Sequence, residues 1–235
     1  LSNSPAVPVV EAAGLPAPEY LLLNGAGWGY GEFPLDSISA AHALPTATRI
    51  AVPLARAVLW ESLFERSLSG GEPARFVGDS IEALKEEKNE QVLTSLIGSR
   101  GKLQTIYWLF LSAAERSEVS GDLEAVLWTR LQEASSAAVK LIFLRAFRDL
   151  ASTDSGAKKL KELVEKDGIM EVKIPEKDIL DLALAAQLRD ATTGAGILEL
   201  ASSKIRSQEL QDKLAFLQRS VSPAPTERRA WFHAL

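Results

Sequence analysis

The residues of this chain best placed to do chemistry are basic and aromatic side chains spread along its middle. They are Arg56 with Trp60, Arg100 with Tyr107 and Trp108, Arg116, Trp128, and Arg145 with Arg148. Arg56 and Trp60 stand four apart, about one helical turn, and therefore share a face. A face of this kind that curved inward would hold an extended peptide, its arginines pairing acidic side chains or a terminal carboxylate through the planar guanidinium fork. Arg56, Trp60, Arg100, Arg145 and Arg148 are the candidate peptide-contacting residues. The competing assignment puts the aromatics in the core, where large apolar side chains usually pack, and scatters the arginines over the surface.

Other chemistries find less material. The chain has two histidines, His42 and His233, far apart in sequence, and neither stands at metal-ligand spacing from an acidic residue. The His-Glu-x-x-His helix motif of zinc peptidases is absent, so no metal ligand is assigned. Cysteine is absent too, which removes thiolate nucleophiles and cysteine-rich zinc sites and suits a reducing or an oxidising compartment equally. No serine lies in a Gly-x-Ser-x-Gly elbow. The ladder Gly25, Gly27, Gly29, Gly31 superficially imitates a dinucleotide loop, but that motif must leave a strand and open a helix, and here a strand-like stretch follows. The carboxylate pairs Glu86-Glu87 and Glu209-Asp212 are expected on solvated helix faces. No catalytic residue is assigned.

The elements that must position these side chains fall into two parts. Residues 1–36 are dense in proline and glycine, a composition that opposes helix and favours extended segments joined by turns. The expected strands are Val7 to Val10, Tyr20 to Leu23 and Gly31 to Leu35. So few strands cannot bury a core alone, so the segment is expected to be the last strands of a truncated β-sandwich domain or a cap on the helices.

Residues 37–235 read as helix after helix. The expected spans are Ser37 to Ala43, stopped by Pro45, then Ala51 to Leu68, Glu72 to Glu87, Glu90 to Ile97 and Leu103 to Ala114. They continue with Asp122 to Ala134, Ser136 to Leu150, Ser155 to Lys166, Glu176 to Arg189, Ala195 to Arg206, Gln208 to Val221 and Thr226 to Ala234. Met170 to Ile174 is expected as an extended connector. Helices of this length joined by short turns predict a mostly α protein, an α-α superhelix of HEAT or armadillo-like hairpins, with a compact bundle as the alternative.

The composition bounds the partners. A net charge of -5 and a pI near 5.3 argue against nucleic acid, which needs a concentrated positive surface. Apolar runs such as Leu141-Ile142-Phe143-Leu144 are far below the roughly 18 to 20 residues that span a bilayer. The chain begins Leu1-Ser2-Asn3-Ser4, without an initiator methionine or a signal-peptide pattern, so it is expected to be an excised or processed piece. The compartment stays open.

Pro16-x-Pro18, Leu22-Leu23-Asn24-Gly25, Gly29-Tyr30-Gly31 and Leu35-Asp36, followed by Leu54-Ala55-Arg56-Ala57-Val58-Leu59-Trp60, resemble the C-terminal region of the M1 family of zinc aminopeptidases. Phe216-Leu217-Gln218-Arg219-Ser220-Val221-Ser222 and Arg228-Arg229-x-Trp231-Phe232 are similar to that family's C-terminal helical domain. The resemblance covers nearly the whole chain. It implies a parent enzyme that removes amino acids from peptide N-termini, with a β domain, a thermolysin-like zinc domain, a small β sandwich and a C-terminal helical superhelix. The parent's zinc would be held by a His-Glu-x-x-His-x18-Glu motif and the peptide amine by Gly-x-Met-Glu-Asn. Neither motif occurs here. The resemblance therefore implies a non-catalytic region without its own cofactor, whose partners are peptides and the catalytic and β domains of the same parent chain. A free-standing helical-repeat scaffold that binds protein partners is the alternative.

Overall fold

In the computed structural model, residues 8–166, 168–169, 172–189 and 196–235 are described, without the side chains of residues 44–46 and 169. The chain is mostly helical. Its helices are α1 (Ser37–Thr46), α2 (Pro53–Leu68), α3 (Pro73–Leu84), α4 (Glu90–Ile97), α5 (Lys102–Leu109) and α6 (Ala113–Glu133). They continue with α7 (Ala137–Leu150), α8 (Asp154–Lys166), α9 (Glu176–Arg189), α10 (Ile197–Lys204), α11 (Gln208–Leu217) and α12 (Pro225–His233). Between α8 and α9, β1 (Gly168–Ile169) and β2 (Val172–Lys173) pair antiparallel, Gly168 opposite Lys173. Val172 and Lys173 of the expected extended connector thus form one strand of a minimal hairpin, while its residues Met170 and Glu171 lie outside the described residues.

The N-terminal segment corrects the sequence reading. No strand forms over residues 8–36; Val10–Ala12 is a single 3-10 turn, and Tyr20 to Leu23 and Gly31 to Leu35 are irregular. Val7 lies outside the described residues. A strand needs a neighbouring backbone ladder, and here the polar groups turn elsewhere. The Leu21 amide donates to Ser39 Oγ at 2.9 Å. Asn24, in the left-handed region at φ 57°, closes the glycine loop instead. Its Oδ1 accepts the Gly29 amide at 2.7 Å, and its Nδ2 donates to the Gly29 carbonyl at 3.1 Å. Asparagine tolerates that backbone region because its short polar side chain bonds locally.

Helix starts follow their caps. Asp36 Oδ1 accepts the amides of Ile38 and Ser39, both at 2.9 Å, and opens α1. The helix then runs past Pro45 to Thr46 before tightening into a 3-10 turn at Ala47–Arg49, beyond the expected stop. The long α6 is the larger correction. Ser112 and Glu115 form a reciprocal capping box that starts the helix at Ala113. From there it runs through Gly121, where the sequence had suggested a break.

Apart from α5, which touches α2, α3, α4 and α7, the helices α2 to α11 fall on two sides. One row runs α2, α4, α7, α9, α11, each helix touching the next; α3 touches α6, and α8 touches α10, on the other side. Contacts α2 to α3, α6 to α7 and α8 to α9 join the rows. A continuous apolar core threads between them from Leu35 to Leu214, with Trp60, Tyr107, Phe143 and Phe147 as its largest closed side chains.

One polar defect sits at the edge of this core. Asp79 on α3 faces a cavity of about 50 Å³ shared with Ser37, Arg66 and Arg75. Its Oδ2 is enclosed without a hydrogen-bond partner, 3.6 Å from Arg75 Nε. Burial pushes the Asp79 carboxyl up from the ordinary range, against the lowering pull of Arg75. A carboxyl with a raised folded pKa holds its proton more tightly when folded, so ionising it costs stability as pH rises above the ordinary carboxylate value. Asp79→Asn is therefore expected to stabilise the chain by up to about 1 kcal/mol at neutral pH. The gain should shrink as the pH is lowered into the carboxylate range, which denaturation of both proteins across that range would show.

Candidate functional site

Arg56 and Trp60 do share a face of α2, and that face is turned inward. Trp60 is 1% exposed and meets Phe76 edge to face, with centroids 5.7 Å apart. Arg56 is spent on a clamp. Its Nε and Nη2 donate to the two oxygens of Glu87 at 2.8 and 3.0 Å, and Nη1 donates to the Ile50 carbonyl at 2.6 Å. Glu87, expected on a solvated face, is instead buried, and it also accepts the amides of Lys88 and Asn89. Burial would raise the Glu87 carboxyl, but the Arg56 and Asn89 bonds outweigh it and hold the pKa below the usual range. The acidic neighbour of Glu86 was visible in sequence; its arginine, thirty-one positions back, was not.

Arg100 sits apart from the others, in the turn between α4 and α5. Its backbone is left-handed at φ 61°, and its amide donates to Gln104 Oε1 at 2.9 Å. The guanidinium is on the exposed side of that turn.

Arg145 and Arg148 do come together with one of the singled-out aromatics, Trp108, at the junction of α5, α7 and α9. Arg145 Nε and Nη2 reach both oxygens of Asp178 at 2.9 and 2.8 Å. Arg148 grips Asp149 at 2.6 and 3.0 Å and reaches Asp181 at 3.2 Å. Burial works against the charge on Arg148, yet the Asp149 bond and the charges of Asp149, Asp181 and Asp178 outweigh it, and its pKa rises. Trp108 Nε1 donates to the Asp149 carbonyl at 3.0 Å, and Arg189 Nε donates to the Ala151 carbonyl at 2.8 Å. Two side chains from other helices thus cap the C-terminal end of α7, where unpaired carbonyls need donors.

The guanidinium of Arg189 lies 5.7 Å from the Trp108 ring and that of Arg116 5.5 Å, in cation-π range. Above this network opens a cleft of about 440 Å³, walled by Trp108, Leu184, Leu188, Arg148 and Arg189. Leu188 stands exposed at its rim. Arg145 and Arg148 are paired with Asp149, Asp178 and Asp181, and Arg116 and Arg189 are held by backbone carbonyls, so the cleft offers shape, an aromatic wall and fixed positive charge rather than a nucleophile and its base. Trp128 is packed on Phe147, with centroids 5.2 Å apart, beneath Lys159.

The chain matches no family model, no curated protein and no solved structure.

The histidines stay apart. His42 Nδ1 lies 2.9 Å from the Ile38 carbonyl, and the His233 ring rests beside Phe232. Among the described residues no group of three or more His, Asp or Glu side chains is arranged to hold a metal ion, so none is assigned to a zinc site. Among the same residues no helix is long and apolar enough to cross a membrane.

Sequence reasoning missed Glu124 and Asp178, the two buried carboxylates that organise this region. Glu124, on α6, accepts the amides of Ser152 and Thr153 at 2.7 and 2.8 Å and the Thr153 hydroxyl at 2.5 Å. It caps α8 from a different helix. The one local signal was Gly156, whose missing Cβ would stand 2.6 Å from Glu124 Oε2.

Proposed function

We propose that this chain is a non-catalytic C-terminal region of an M1-type zinc aminopeptidase, shaping which peptides reach an active site carried elsewhere in the parent chain. The observation that carries the reading is the pairing of the Asn24-Gly25 and Gly29-Tyr30-Gly31 loop with the Leu54-Ala55-Arg56-Ala57-Val58-Leu59-Trp60 helix. The run of contacts α2 to α4 to α7 to α9 to α11, with α6 on α7 and α8 on α9, supports a superhelix of stacked hairpins, because its helices meet near neighbours in sequence. In such an arrangement the cleft at Trp108, Arg148 and Arg189 is the peptide-facing feature of choice. It combines an aromatic wall with charged groups locked in place by second partners. Peptide selection by shape needs this rigidity and no catalytic group.

The parent reading frame upstream of Leu1 is expected to encode His-Glu-x-x-His-x18-Glu and Gly-x-Met-Glu-Asn. The full-length product is expected to hydrolyse aminoacyl anilides until a chelator removes its zinc, while residues 1–235 alone show no turnover. Chelator-sensitive turnover by the isolated chain would overturn the reading. A start codon close upstream would favour the second one, a free-standing helical-repeat scaffold, whose supporting observation is the exposure of the apolar side chains Leu109 and Leu188.

A further inference from the structure

Helix α12 has nine residues, fewer than the about 12 to 15 that an isolated helix needs to persist in water, and none of them is buried. Within the chain it is held by Trp231 stacking on Phe216 of α11, with centroids 5.3 Å apart, and by Arg228 Nη1 donating to the carbonyls of Ser222 and Pro223. Trp231 Nε1 is enclosed and meets no acceptor among the described residues. On the open side, Arg228 and Arg229 precede Phe232 by four and three positions, a spacing that puts all three on one face of α12. Phe232 is 68% exposed and Leu235 72%.

The charge here runs against that of the chain. Residues 217–235 carry three arginines, Arg219, Arg228 and Arg229, and one acidic side chain, Glu227, in a protein of net charge -5. Glu227 is occupied by the Ser222 hydroxyl. Among the described residues none of these three arginines forms an ion pair, whereas Arg56, Arg145 and Arg148 are each paired within the chain. Arginine and aromatic side chains together are the residue types that dominate protein-binding hot spots. A lipid surface instead asks for a broad apolar face along an amphipathic helix, and α12 offers one exposed apolar ring, Phe232, on the face that carries Arg228 and Arg229.

We propose that α12 is a docking face for an acidic polypeptide segment, whose carboxylates pair with Arg228 and Arg229 while its apolar side chains cover Phe232 and Leu235. The inference is independent of the aminopeptidase reading. The test uses the full chain, titrated calorimetrically at low salt with an N-acetylated peptide of alternating glutamate and leucine and with its lysine counterpart. Anionic phosphatidylserine vesicles and sedimentation velocity of the chain alone form two further arms. The glutamate peptide is expected to bind and the lysine peptide not, with amides of α12 slowed in hydrogen exchange on binding. Arg229→Gln and Phe232→Ser should each weaken binding by about tenfold without changing the circular dichroism, because both side chains are exposed. Arg75→Gln, on α3, should leave the affinity alone. Equal binding of both peptides, affinity indifferent to the two variants, or association only with vesicles or with a second copy would overturn the proposal.

Discussion

Asp178→Ala is expected to lower the unfolding free energy by about 1.5 to 3 kcal/mol, the usual worth of hydrogen bonds to a charged group. The Asp178 side chain is 2% exposed, and both its oxygens are occupied by Arg145, with Arg148 Nη1 a further 3.5 Å contact. Its bond to Arg145 is the leading cause that raises the Arg145 pKa, ahead of the opposing effect of burial. Removing the carboxylate leaves Arg148, 11% exposed, with Asp149 and Asp181 only, and leaves Arg145 without its acceptor. The loss falls on the joint between α7 and α9, which also supports the cleft. Arg145→Ala should cost a similar amount, because it leaves Asp178, 2% exposed, with the 3.5 Å contact of Arg148 alone, while water can enter where Arg145 is 40% exposed. Urea denaturation would show both as midpoints that fall at constant slope. Small shifts for both would mean that the network is only a rim contact.

The second large effect is expected at Glu124. Its carboxylate serves two backbone amides and a hydroxyl at the start of α8, and it is buried while doing so. Glu124→Gln keeps the size and an oxygen for the two amides, but it removes the negative charge that strengthens those bonds and puts a donor where Oε2 accepts the Thr153 hydroxyl. Hydrogen bonds to a charged group are worth about 1.5 to 3 kcal/mol, so a loss of about 2 kcal/mol is expected. Gly156→Ala probes the same place by crowding, since its Cβ would meet Glu124 Oε2 at 2.6 Å. Because the two positions touch, their effects should be non-additive in a double-mutant cycle. Strict additivity would mean that Glu124 does not hold the start of α8.

Much of the helical framework was legible from local signals. The spans of α4 and α9 are those the periodicity and flanking residues predict, Glu90–Ile97 and Glu176–Arg189, with Asn89 capping α4 through its side chain as its type suggests. Errors cluster where a local signal met a stronger one. Gly121 suggested a break, but the capping box at Ser112 and Glu115 had already started α6, and an exposed glycine costs a helix only about 1 kcal/mol. The alternating residues around the glycine ladder suggested strands, but a strand is made by its neighbour, and residues 8–36 have none.

The candidate site was legible only as an inventory. Sequence supplied Arg56, Trp60, Arg145 and Arg148 as types at helical spacing, and that spacing correctly put Arg56 and Trp60 on one face. Whether the face turned inward or outward depended on Phe76 and Glu87 from other elements, and it turned inward. Likewise Arg148 needed Asp149, Asp181 and Trp108 from three helices to become the wall of a cleft. What the sequence by itself determined was therefore the helical class, most helix limits and the supply of cations and rings, because capping and amphipathic spacing act within a few residues. What only the tertiary structure decided was which charges are spent and which stay open. A guanidinium is claimed by whichever carboxylate folding brings within hydrogen-bond reach, and for Arg56 and Arg145 those partners lie 31 and 33 positions away.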